Sequence, residues 1–182
     1  LAKIAEAYHT LFVTRKGLRN VSVLGVLFRR SFLRENDISF IENYIFFSDS
    51  TFIVQALKNV KMCSYVPEAV YIKRKHNDPI HYPALSQSKT EDKFEEYLLA
   101  YRQCREYTEE QTPLRSYLED KLIAYYANTY APRLRRSEKD IWRTERFQAM
   151  RAAILEVDQE KLVNLKGYKK RIVKALLKND VQ

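Results

Sequence analysis

Helical spacing of apolar residues in the second half is the sequence feature that most constrains the fold. From residue 89 onward, apolar side chains recur three or four positions apart, as at Phe94 and Leu98. This interval places them on one side of an α-helix. Pro113 suits the first position of a helix, and Gly167 precedes a further amphipathic stretch. We therefore expect residues 89–182 to form a helical appendage.

The first 88 residues show a different pattern, in which short apolar and β-branched runs alternate with turn residues. Residues 49–59 have helical spacing, and the runs beside them have the length and composition of strands. The fold class expected for the whole chain is α+β, mainly α. The expected strands are residues 21–27, 38–40, 61–66 and 69–74.

Composition is that of a folded globular protein. The chain has 182 residues, of which 46% are hydrophobic, enough for one domain with an appendage. No apolar run reaches the roughly 18 residues of a membrane span, and no signal-peptide pattern precedes the first helix. Cys63 and Cys104 are far apart and predict neither a zinc site nor a disulfide framework. These features favour a soluble, cytoplasmic protein.

The net charge of +9 is spread along the chain rather than massed in one tail. In the first half, cations cluster at residues 29–34 and 73–75, where they suit phosphate-bearing substrates or an anionic membrane surface. No helix-turn-helix, zinc-finger or RNA-binding signature is present, so no nucleic acid is expected. His9, His76 and His81 lack metal-ligand spacing, and no metal is assigned to them.

Asp49 is an acidic residue placed between an aromatic run and a helical run. It follows the aromatic residues Tyr44, Phe46 and Phe47 and precedes the helical run, so it is a candidate N-cap. The aromatic residues could form a platform beneath a sugar ring or belong to the core. Their alternation favours the core for Phe46 or Phe47.

Four segments of the chain together carry a resemblance to one protein family. They are residues 27–40 (LFRRSFLRENDISF), 47–52 (FSDSTF), 69–79 (AVYIKRKHNDP) and 85–87 (LSQ). These segments are similar to the C-terminal, acceptor-side half of family 2 glycosyltransferases of the GT-A fold, and in particular to the modules attached to polyglycerol-phosphate polymerases of teichoic-acid and capsule assembly. The family usually carries Glu-Asp where this chain has Ser48-Asp49.

The resemblance implies that residues 1–88 are a partial GT-A-like acceptor half, followed by the helical appendage. It further implies an inverting glycosyltransferase of cell-wall or capsular polymer biosynthesis, in which Asp49 is the catalytic base that deprotonates the acceptor hydroxyl. A basic loop would bind substrate near the donor diphosphate. The loop residues implied are Arg74, Lys75, His76 and Ser86.

The same resemblance places the donor-binding groups outside this chain. Glycine occurs only at positions 17, 25 and 167, which leaves no Gly-rich phosphate loop, and there is no Asp-x-Asp motif. The nucleotide-binding half, with a divalent Mg or Mn ion, is expected before Leu1, so no cofactor is expected here and this chain alone should be inactive.

The implied partners in the parent protein are a nucleotide-sugar donor and a phosphate-rich polymer acceptor. Peripheral contact with the inner face of an anionic membrane is a further expectation, since the basic clusters of the first half suit such a surface. The alternative is a non-catalytic structural or interaction module of a polymer-synthesising enzyme, which would bind no nucleotide sugar even in the full-length protein.

Overall fold

The computed structural model of the chain divides into two compact units, Leu1–Leu114 and Arg115–Gln182. Each unit is described by itself. The boundary expected at residue 88 lies outside the described residues, so that division stays a prediction. The structure describes residues 13–14, 17–18, 23–24, 26–44, 46–63, 68, 71–72, 78, 80–81, 92–109, 112–134 and 145–178.

Short strands and three helices make up the described part of the first unit. Strands β1 (Val13–Thr14) and β2 (Gly17–Leu18) pair antiparallel, with Val13 opposite Leu18. The helices are α1 (Arg30–Glu35), α2 (Ser48–Asn59) and α3 (Asp92–Glu106). Helix α2 packs against α3.

The expectation of a GT-A-like half built from short strands is wrong. Within the described residues, strand geometry is confined to β1 and β2, and the described positions of the four expected strands are turns or irregular. In one of them, the Val26 N–H donates to the Val23 carbonyl at 3.2 Å and closes a turn. A backbone donor used in a turn is not free for a strand ladder, so β-branched composition did not decide the structure. The described chain is mainly helical.

The end of α1 explains why residues 38–40 form no strand. Asp37 has a φ of 51°, and the Ile38 N–H donates to the Leu33 carbonyl at 2.9 Å while the Asp37 N–H donates to the Arg34 carbonyl at 3.3 Å. This pair of bonds is the Schellman ending of a helix. Ile38 is therefore used to terminate α1, and its side chain packs with Leu33 in the core.

A small core joins the segment around α1 to helix α2. Phe52 and Ile38 are buried at its centre. The Phe52 ring stacks on Phe40 with centroids 4.3 Å apart and meets the edge of Phe28 at 5.2 Å. Burying a Phe side chain stabilises a fold by about 1.5–3 kcal/mol. Residues 27–40 and 47–52 thus fold against each other.

The described part of the second unit consists of helices, with short turns at residues 156–158 and 164–166. Proline does begin α4 at Pro113, as its position predicts, and the last helix begins at Gly167, whose φ is +58°. The interior of the unit contains Leu122, Met150 and Ile154, each 0% exposed. Its helices are α4 (Pro113–Tyr125), a π-helical turn (Tyr126–Tyr130), α5 (Ala131–Leu134), α6 (Glu145–Leu155), α7 (Gln159–Val163) and α8 (Gly167–Lys178).

The π-helical turn lets the helix pass through Pro132 rather than end before it. Proline has no N–H to donate, and its ring clashes with the carbonyl four residues earlier, here that of Asn128. The wider π-helical turn at Tyr126–Tyr130 surrounds that carbonyl, and π-turns are a recognised way to absorb such a mismatch. The helix continues past Pro132 to Leu134.

A buried charge network connects α4 to α7. Glu119 is only 5% exposed, and its carboxylate lies 3.5 Å from Lys161 Nζ and accepts from the Asp158 N–H at 3.4 Å. Lys161 Nζ also lies 3.1 Å from Asp120 Oδ1 and donates to the Ser116 hydroxyl at 2.7 Å and to the Ser116 carbonyl. A buried carboxylate with these partners avoids the cost of an unpaired charge.

No helix within the described residues is long and apolar enough to cross a bilayer.

Candidate functional site

Asp49 lies in the first turn of α2, at its second residue. The N-cap of this helix is Phe47, which makes no side-chain capping hydrogen bond, so the expectation that Asp49 is the N-cap is wrong by two residues. A carboxylate in the first turn still stabilises a helix through its dipole, by about 0.3–1 kcal/mol. The side chain is half-buried, which leaves part of it accessible.

Glu96 of helix α3 supplies the cap that the local sequence lacks. Its Oε1 accepts hydrogen bonds from the Phe46 N–H at 2.5 Å and the Phe47 N–H at 2.7 Å. A carboxylate that accepts from two backbone N–H groups at a helix N-terminus makes charge-assisted bonds there, which are stronger than neutral ones. The start of α2, and with it Asp49, is therefore fixed by a side chain about fifty positions away in sequence.

The aromatic residues before Asp49 rest on the same helix, α3. Lys93 Nζ lies 4.7 Å from the centroid of the Phe46 ring, a cation–π distance, and the Phe47 and Tyr97 rings meet edge to face at 5.0 Å. The Tyr44 hydroxyl donates to Gln103 Oε1 at 3.0 Å. Burial is the main cause that raises the pKa of Tyr44. These contacts attach Tyr44, Phe46 and Phe47 to helix α3, where all three side chains are half-buried.

Two side-chain hydrogen bonds involve helix α2 itself. The hydroxyl of Thr51, a residue 0% exposed, donates to the Ser48 carbonyl within the first turn at 2.9 Å. Farther along the helix, Gln55 Nε2 donates to the Ser39 carbonyl at 3.1 Å. Because Ser39 belongs to the segment that follows α1, helix α2 contacts that segment as well as α3.

The predicted substrate-binding residues Arg74, Lys75, His76 and Ser86 lie outside the described residues, so their role stays a prediction. The described part of this loop is a turn around Asp78, whose carboxylate accepts from the Ile80 N–H at 3.2 Å, the His81 N–H at 2.9 Å and His81 Nδ1 at 2.8 Å. The hydrogen bond from the His81 N–H is the largest cause that lowers the pKa of Asp78. The turn agrees with the loop predicted for residues 75–88.

The sequence found the helix turn that carries Asp49 but gave no sign of Glu96. Glutamates are common on helices, and nothing in the pattern of residues 92–106 indicates that one of them caps another helix.

Among the described residues, no three His, Cys, Asp or Glu side chains come together as a possible metal site. Comparison of the chain with models of known families, with curated protein sequences and with solved structures gave no match.

Proposed function

We propose that this chain supplies the acceptor-side base, Asp49, of an inverting glycosyltransferase that acts in bacterial cell-wall or capsular polymer biosynthesis. The observation that carries the proposal is the position of Asp49 in the first turn of α2. The side chain is half-buried there, on a helix whose start is bonded to Glu96 and whose Phe52 and Gln55 contact the segment after α1. A general base must be held in a defined position and remain accessible to the hydroxyl it deprotonates.

The reaction needs one carboxylate from this chain. Asp49 takes the proton of the acceptor hydroxyl while the hydroxyl oxygen forms a bond to the anomeric carbon of the donor sugar. The bond from that carbon to the nucleotide diphosphate breaks, and the diphosphate leaves with the electron pair. The substrate class is a nucleotide sugar with a phosphate-rich polymer as acceptor, bound at the cytoplasmic side of the membrane, and the donor-binding residues belong to a part of the enzyme outside this chain.

Exposed apolar side chains in the first unit support the idea that further polypeptide covers it. Leu27, Ile72, Met62 and Ile80 are 102%, 87%, 84% and 83% exposed. Large apolar side chains that lie fully in water are unfavourable, and several in one small unit are typical of a surface that another element buries. Leu27 belongs to a segment that carries the family resemblance.

The test is the substitution Asp49→Asn in a polypeptide that joins this chain to its donor-binding half. We expect transfer from a nucleotide sugar to fall roughly a hundredfold to ten-thousandfold, because the amide cannot accept the proton. The free energy of unfolding should fall by about 1 kcal/mol, since the cap of α2 is made by Glu96 and the substitution removes a charge from the first turn.

Asp37→Asn is the matched control. Asp37 is an exposed aspartate of the same unit with a φ of 51°, a conformation that asparagine adopts as readily as aspartate. This variant should keep full transfer. Equal loss in both variants would show a general effect of charge and would contradict the role of Asp49.

The second candidate is a non-catalytic structural or interaction module. It is favoured by Ser48, which stands where the resembling family carries glutamate. A folded Asp49→Asn variant with undiminished transfer would decide for this candidate. In that case the acceptor-side surface binds a polymer or protein partner without turnover.

A further inference from the structure

Helix α8 carries charge of one sign. Its twelve residues include no carboxylate. The cations are Lys169, Lys170, Arg171, Lys174 and Lys178. A helix face whose only role is to contact solvent usually carries charges of both signs. Like charges three or four residues apart destabilise a helix by about 0.2–0.5 kcal/mol per pair. The composition of α8 therefore carries a cost that solvation alone does not explain.

Four of these cations share one side of the helix. At 100° per residue, Lys170, Arg171, Lys174 and Lys178 fall within an arc of about 100°, and they span roughly 12 Å along the axis. All four are exposed. The opposite side holds Ile172, Val173 and Leu176, which are buried in the second unit. The apolar side of α8 is thus already occupied, and the basic side faces solvent.

The basic face is not neutralised by the described residues. None of its four cations pairs with a carboxylate there. Lys170 Nζ donates to the Val163 carbonyl at 3.5 Å, which places Val163 beside the basic face. A row of cations without counter-charges attracts an anionic partner.

Exposed apolar groups lie at the same end of the helix. Val163, at the end of α7, is 70% exposed, and Tyr168, in the first turn of α8, is 42% exposed. The exposed Lys166 lies between them in sequence. Cations beside an exposed aliphatic and an aromatic side chain suit a phospholipid surface, where the cations meet headgroup phosphates and the apolar groups enter the interface. A soluble polyanion would use the cations alone.

We propose that the face formed by Val163, Lys166, Tyr168, Lys170, Arg171, Lys174 and Lys178 binds the surface of an anionic phospholipid membrane. The contact is peripheral, because the apolar side of α8 is buried in its own unit and is not available for insertion. The proposal is independent of the role of Asp49, since it involves neither acceptor nor donor.

Sedimentation of the 182-residue chain with vesicles tests the proposal. Binding is expected to vesicles of phosphatidylcholine mixed with phosphatidylglycerol, and not to vesicles of phosphatidylcholine alone. The triple variant Lys170→Gln, Arg171→Gln, Lys174→Gln should bind the mixed vesicles roughly a hundredfold less tightly, since each cation near an anionic surface contributes about fivefold. Glutamine has nearly the helix propensity of lysine, so α8 should persist, as circular dichroism can check.

The matched control removes the same charge elsewhere. Lys58, Lys61 and Arg102 are exposed cations outside this face and outside the basic clusters of residues 29–34 and 73–75, and their replacement by Gln should leave vesicle binding close to that of the native chain. A comparable loss in this control would overturn the proposal in favour of net charge. Binding of the native chain that persists at about 1 M salt would also overturn the proposal, because charges are then screened over about 3 Å.

Two further outcomes separate a membrane from a soluble polyanion. Tyr168→Ser should weaken vesicle binding roughly fivefold through the lost interfacial side chain, with no change in binding to inorganic polyphosphate. The membrane proposal would be overturned if polyphosphate bound as tightly as the mixed vesicles and the Tyr168→Ser variant bound vesicles like the native chain.

Discussion

The two units differ in how completely they bury their large apolar side chains. In the second unit, Leu122, Met150 and Ile154 are 0% exposed, whereas in the first Leu27 is 102% and Ile72 is 87% exposed. Buried apolar area is the dominant stabilising contribution in most folds. The second unit therefore contains the interior that a stable fold needs, and the first leaves apolar area that can gain free energy by association.

The two units also use carboxylates differently. Glu119 of the second unit ties α4 to α7 through Lys161, a contact within the packed interior. Glu96 of the first unit caps the helix that carries the candidate base. Glu119 thus stabilises a packed interior, whereas Glu96 holds the start of the helix that carries the candidate site. Stability and function are thus expected to separate between the units, and three predictions test that separation.

The largest effect is expected from a matched pair of leucine substitutions. Leu122→Ala should lower the free energy of unfolding by about 3–4 kcal/mol, because it removes buried methyl groups and leaves a cavity. Leu27→Ala should change it by less than about 0.5 kcal/mol, since the side chain is exposed. Urea denaturation of both variants measures the difference. A Leu27→Ala variant as unstable as Leu122→Ala would show that Leu27 is buried in solution.

The helices were predictable where local chemistry sets their ends. Pro113 and Gly167 mark helix starts in the sequence and do so in the structure, because the fixed φ of proline and the freedom of glycine act locally. The strands were not predictable in this way. Residues 21–27 include three valines, yet a turn between Val23 and Val26 uses the backbone donor. Strand propensity depends on neighbours that the sequence does not reveal.

The candidate site was predictable only in part. The position of Asp49 near a helix start follows from the pattern of residues 44–57, although the capping role belongs to Glu96. A cap supplied by another helix depends on how α2 and α3 pack, and a single sequence carries no record of that packing. The basic side of α8 could be identified only from the structure for a similar reason. Burial of Ile172 and Leu176 shows which cations share the solvent-facing side of the helix.

A smaller effect is expected in alkaline solution. Burial raises the pKa of the Cys104 thiol in the first unit from 9.0 to about 12, and burial raises the pKa of Tyr130 in the second unit from 10.0 to about 12. The folded chain keeps these protons at a pH where the unfolded chain releases them. Their stabilisation is therefore complete below the unfolded pKa and is lost as pH rises towards the folded pKa.

Between pH 9 and 10, Cys104 is the first of these two groups to contribute. The free energy of unfolding should fall by about 1 kcal/mol over this interval, and the Cys104→Ala variant should show a flatter dependence. Urea denaturation at both pH values measures it, and amide hydrogen exchange shows which unit opens. Identical pH dependence in the native chain and the variant would mean that the thiol is not buried as the structure has it.

The smallest effect concerns the cap of α2. Glu96→Gln keeps an oxygen that can accept from the Phe46 and Phe47 N–H groups but removes its charge, so the free energy of unfolding should fall by about 1 kcal/mol. Glu106→Gln, at an exposed carboxylate of the same helix, should change it by less than about 0.5 kcal/mol. Hydrogen exchange should report faster opening at the start of α2 and no change in α6 or α8. Equally faster hydrogen exchange in both units would contradict the separation of stability and function between them. Faster exchange confined to α2, together with slower transfer in the intact enzyme, would identify Glu96 as the residue that positions Asp49.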